Sequence, residues 1–194
     1  MFMAAAFLAS NLSGMPYTDL VTDSIFGPLN MTASTFTPHL DDPSLTQLSA
    51  SFVTLDNDTV IEIPYGFDGS HDSLQLNAGA GGVVTSARDG LKWVEFLLRQ
   101  RRAATARPAP PRSRLDAVLP REHVLELSSG QMVGQRVEPY PDSSMQLYGL
   151  GLELVHYQGV QTVRHGGSIP GFGTQVLWSS EAGVGVVAFC NAAG

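Results

Sequence analysis

The stretch "RHGGSIPGFGTQVLW", Arg164–Trp178, places a histidine, two glycines and a serine between two strand-like runs. Glycine beside a strand lets backbone come close to a ligand, and a strand fixes the direction of each N–H. Donors aimed at the oxygen on which charge develops are one requirement of an acyl-transfer site. An activated hydroxyl and a base within hydrogen-bond reach are the other two. The same residues also fit a plainer reading, a strand-end histidine before a glycine-rich turn.

The surroundings of this stretch define the fold class. From Tyr148 onward, "YGLGLELVHY", "VQTVRH", "TQVLW" and "VGVVAF" read as strands, separated by Gln158-Gly159, "GGSIPGFG" and "SSEAG". Connections this short between successive strands predict an antiparallel meander. The second strand and the last are apolar enough to lie inside a sheet covered by helices. The first half is helical and loop-rich. Residues 2–12 form an apolar helical run that stops at Gly14. "MPYTDLVTDSIFGPLNM" predicts a second helix, with Pro16 in its first turn and Gly27-Pro28 ending it. Thr32 to Asp72 is loop-rich with two short strands, "SFVTL" and "TVIEI". Ser86 caps a further helix with Asp89 three residues on, and Ala87, Leu91, Val94 and Leu98 share one face. "REHVLEL" is a short helix after Leu119. The fold class is α+β, an antiparallel sheet with flanking helices. Residues 1–194 are read as one domain: 1–100 helices and loops, 101–118 an Arg/Pro-rich loop, 119–194 a short helix and strands.

The composition is that of a folded chain: 43% hydrophobic and 15% charged residues, with no repeat. The net charge of −7 is uneven. Residues 1–87 hold no Lys or Arg, whereas six of the eleven basic residues lie between Arg99 and Arg114. The acidic balance argues against nucleic acid and anionic membranes as partners. The basic segment "RQRRAATARPAPPRSR" has no interleaved aromatic residues for base stacking and reads as an extended, mobile surface loop. It is either a genuine insertion or unspliced sequence. One cysteine, Cys190, excludes an internal disulfide, and its apolar run "VGVVAFC" suggests a small buried residue. "MFMAAAFLASNLSGM" is too short to span a bilayer and lacks the positive start of a signal peptide, so a core helix is expected there. The compartment stays open. "NAGAGG" before the Ser86 helix lacks the G-K-[ST] ending of a phosphate loop; tight backbone packing is expected instead.

A nucleophile is harder to find. The elbow G-x-S-x-G nearly fits Gly166-Gly167-Ser168, but its fifth position is Pro170. S-x-x-K needs a lysine one turn beyond a serine, and the only lysine, Lys92, follows Asp89 at that spacing. Tyr-x-Asn and Ser-x-Asn occur nowhere. The histidines at 39, 71, 123, 156 and 165 show no ligand spacing, so neither a metal nor another cofactor is expected.

Three blocks, "NLSGMPYTDLVTDSIFGPLNMTASTF", "NAGAGGVVTSARDGLKWVEFLL" and "YGLGLELVHYQGVQTVRHGGSIPGFGTQVLW…VGVVAFCNAAG", resemble consecutive segments of the serine β-lactamase-like and penicillin-binding-protein-like superfamily. The likeness is greatest to its class C β-lactamase, D-aminopeptidase and esterase branch, and it covers nearly the whole chain apart from the Arg/Pro segment. It implies a partial β-lactamase/transpeptidase-like fold and a serine hydrolase that attacks a small ester or amide through an acyl-enzyme. His165-Gly166-Gly167 matches the family's His-x-Gly strand motif. By that resemblance His165 orients substrate or the proton network, and the Ser168 N–H is an oxyanion donor. The family's S-x-x-K and Tyr-x-Asn would lie upstream of Met1, and a long helix would follow the last strand. The resemblance therefore implies a member cut at both ends, inactive as this chain, with an exposed sheet edge. A non-catalytic binding relic of the fold is the alternative.

Overall fold

A computed structural model describes residues 1–36, 47–65, 77–134 and 141–192. The chain divides into two compact units: residues 1–89, 167–174 and 189–194 in the first, 90–166 and 175–188 in the second. The architecture is α+β. Two helical segments open the chain, α1 (Phe2–Ser13) and α2 (Tyr17–Val21), and α2 continues as a π-helical turn, Thr22–Phe26. Gly14 ends α1 in the left-handed conformation, φ 69°, which a residue without a Cβ adopts freely. Two small antiparallel ladders follow: β1 (Thr35–Phe36) with β4 (Val83–Val84), and β2 (Ser51–Thr54) with β3 (Val60–Ile63). The short helix α3 (Ala78–Gly81) precedes β4.

The first unit is held by an aromatic cluster and a buried carboxylate. Phe36 lies with its ring centroid 5.8 Å from those of both Tyr17 and Phe26. Asp89 is 1% exposed and accepts from the Ala33 N–H at 2.7 Å and the Ser34 hydroxyl at 3.0 Å. Its own N–H donates to Ser86 Oγ at 3.2 Å, the expected cap at the head of α4 (Ala87–Thr105). The glycine-rich approach is a packing feature: a Cβ on Gly79 would stand 2.5 Å from Ala6 Cβ. The core-helix expectation for α1 is not met among the described residues. Only Ala6 is buried, and Phe7, Leu8 and Leu12 are exposed. Its two neighbours, α2 and α3, cover only part of its apolar surface.

The second unit is built on α4, on α5 (Arg121–Leu127) and on most of a six-stranded sheet. Its strands are β5 (Met132–Val133), β6 (Leu147–Tyr148), β7 (Glu153–Tyr157), β8 (Val160–Ile169), β9 (Phe172–Ser179) and β10 (Val184–Cys190). They lie in the order β10-β9-β8-β7-β6-β5, the expected meander. Leu154 and Val155 are adjacent and both buried, so both faces of β7 are covered. Val94, Leu97, Val124, Val163 and Trp178 complete this core. On α4 the buried stripe runs through Asp89, Val94, Phe96, Leu97 and Gln100. Ala87 and Leu91, placed on the core face by periodicity, are exposed. The stripe is rotated because the side chain of Asp89 is itself drawn inward.

Three strand expectations change. "YGLGLELVHY" is two strands, because Gly149–Leu152 turns back on itself with the Gly149 N–H donating to Leu152 O at 2.7 Å. The glycine-rich "GGSI" is strand rather than connection, and only Pro170 and Gly171 turn. The last strand, expected inside the sheet, is the edge among the described strands. Its residues alternate between half-buried (Gly185, Val187, Phe189) and exposed (Val184, Val186, Cys190). Cys190 thus stands on the exposed face, not buried as its apolar neighbours suggested. Gly185 packs under α4, where a Cβ would collide with Val94.

The Arg/Pro segment also differs from expectation. Helix α4 takes in Arg101 and Arg102, and Arg114–Ala117 is a 3₁₀ turn capped by Ser113 and Asp116. Arg121, 8% exposed, anchors the stretch between them. Its guanidinium donates to both Asp116 oxygens at 2.7 and 2.8 Å and to the carbonyls of Pro110 and Pro111 at 3.0 and 3.1 Å. Hydrogen bonds from Arg121, then from the Ser113 N–H, hold the Asp116 carboxyl far below the usual carboxylate range. Arg112, 3.0 Å from Glu122, lowers that carboxyl too. A carboxylate with a depressed folded-state pKa contributes stability that is complete above about pH 4 and fades as the pH falls below it. Thermal unfolding between pH 7 and pH 2.5 is expected to show the parent chain losing stability more steeply than Asp116→Asn. Equal slopes would remove this network from the acid response.

Candidate functional site

The four residues of interest are consecutive on β8, and all are exposed: His165, Gly166, Gly167 and Ser168. What they offer follows from the register of the two hairpins that β8 forms. Gln158 and Gly159 connect β7 to β8 as a two-residue turn, both with positive φ (51° and 81°), the pattern of a type I′ hairpin. In such a hairpin the residues flanking the turn, Tyr157 and Val160, are a hydrogen-bonded pair. Alternation then makes Val155↔Thr162 and Glu153↔Arg164 hydrogen-bonded pairs as well. Val160, Thr162 and Arg164 therefore turn their N–H and C=O groups toward β7.

Pairing with β7 ends at Glu153↔Arg164, but β8 continues to Ile169. By the same alternation Gly166 and Ser168 aim their N–H groups to that side, where no strand among the described residues pairs with them. The second hairpin agrees. Pro170 sets its own φ and Gly171 has φ 79°, a type II pattern, which places Thr174 opposite Gly167. Thr174 Oγ1 donates to Gly167 O at 3.4 Å, and a Cβ on Gly167 would lie 2.7 Å from that oxygen. His165, Gly167 and Ile169 thus turn their backbone groups to β9, and Gly166 and Ser168 turn theirs away from it. A Cβ on Gly171 would stand 2.5 Å from Ser51 Cβ, so the turn also has a close-packing reason for glycine.

The side chains alternate in the complementary sense. His165 shares a face with buried Val163. Ser168 shares the other with Gly166 and Arg164. Arg164 closes the ladder: its Nε donates to Glu153 at 3.0 Å, with both side chains about one-fifth exposed (18% and 22%). This pair fixes the last rung before β8 leaves β7. The sequence names His165, Gly166, Gly167 and Ser168 as candidates, with the Ser168 N–H as donor, and does not foresee the Glu153–Arg164 rung. The phase that sets this rung is accessible from the two-residue Gln158-Gly159 turn. No group of three or more His, Cys, Asp and Glu side chains among the described residues is placed to hold a metal ion. His39 and His71 lie outside the described residues. No described helix is long and apolar enough to cross a membrane.

This strand belongs to a known fold. The Beta-lactamase family profile matches residues 2–194, and the chain belongs to that family. Proteins named as a hydrolase, a D-amino acid amidase and a penicillin-binding protein homologue are among those it is similar to. An unguisins hydrolase from Aspergillus campestris is 26% identical over 196 residues, covering 98% of this chain and 32% of the relative. The D-amino acid amidase from Ochrobactrum anthropi SV3, complexed with L-phenylalanine, superposes with a TM-score of 0.70 at 19% identity, over all of this chain and 51% of that one. The octameric penicillin-binding protein homologue from Pyrococcus abyssi gives 0.69 at 16% identity, over 94% and 35%. The chain thus spans from a third to half the length of these relatives.

A double-mutant cycle on Glu153→Ala and Arg164→Ala, read by urea unfolding, is expected to give a coupling of about 0.5–1 kcal/mol. A coupling of zero would mean that the pair does not fasten this rung.

Proposed function

We propose that β8 is the oxyanion-side strand of a serine acyl-transfer site whose substrate is a small ester or amide. One observation supports this above the others: β8 outruns β7, leaving Gly166 and Ser168 N–H groups on an edge that no strand among the described residues pairs, with almost no side-chain bulk. A carbonyl oxygen approaching that edge can accept from the Ser168 N–H. When a serine hydroxyl adds to the carbonyl carbon, charge moves onto that oxygen and the same hydrogen bond strengthens. A preorganised donor of this kind is worth about 10²–10³ in rate. His165 is assigned to orienting the substrate or the proton network. The amidase names among the relatives support an amide substrate.

The chain is read as part of a longer domain, and on its own it does not turn substrate over. Support comes from the motif search: Ser-x-x-Lys and Tyr-x-Asn, the nucleophile and base of this family, occur nowhere in the 194 residues. Without nucleophile and base, an oxyanion donor offers binding alone. The same absence favours, as a second reading, a non-catalytic protein that keeps the fold for binding.

A fluorophosphonate that reacts with activated serines distinguishes these readings. The protein isolated from its natural source is expected to be labelled at a serine of a Ser-x-x-Lys motif. The recombinant 194-residue chain is expected to stay unlabelled. Labelling of this chain at Ser168 would overturn the assignment of Ser168 as a backbone donor. A natural protein with the mass of this chain and no label would overturn the catalytic reading and leave the non-catalytic one.

A further inference from the structure

We draw no further inference here: the strongest candidate, the exposed apolar face that α1 presents through Phe7, Leu8 and Leu12, carries none because nothing in the structure shows what covers it.

Discussion

The constraint on which the site rests is the phase of a single strand. A two-residue turn at Gln158-Gly159 obliges Tyr157 and Val160 to exchange hydrogen bonds. Every later residue of β8 inherits its direction from that pair. Two residues past the last rung, the same rule turns the N–H of Gly166, and then of Ser168, to a side that β7 no longer occupies. A turn of three residues in place of two would have reversed this, sending those amides to β9 and His165 and Gly167 to the open edge. The chemistry of the edge is decided about ten residues before it is expressed.

Glycine completes what the register begins. With no side chain at 166 or 167, neither face of the strand is crowded where the edge opens. At 167 a Cβ would also press on Thr174 across the second hairpin. The Glu153–Arg164 pair marks where the ladder stops. Polar groups that a folded protein leaves unpaired at a strand edge are normally blunted or covered. An edge kept open beside a histidine is what an oxyanion-binding strand requires.

Much of this was readable in the residues. The meander, the Ser86 cap, the short helix at Arg121 and the family resemblance all follow from turn chemistry, apolar spacing and motif order. The failures have physical causes. By sequence "GGSI" reads as a connection because glycine usually breaks a strand, whereas extended backbone at Gly166 and Gly167 is held by the hairpin with β9. Helix α4 turned its stripe toward Phe96 and Leu97 because Asp89, polar in any hydropathy pattern, is buried by its bonds to Ala33 and Ser34. The Arg/Pro segment looked loosely held because nothing local marks Arg121 as its anchor; that contact is made ten residues away. The last strand looked buried on composition alone, yet its exposed valines alternate strictly with half-buried positions.

The most direct test is amide hydrogen exchange along β8, resolved residue by residue on the 194-residue chain. Open-edge geometry predicts alternation: His165, Gly167 and Ile169, paired with β9, exchange slowly, while Gly166 and Ser168 exchange as unprotected amides. Uniform protection from Val160 through Ile169 would mean that this edge is covered, and the oxyanion assignment would fail with it.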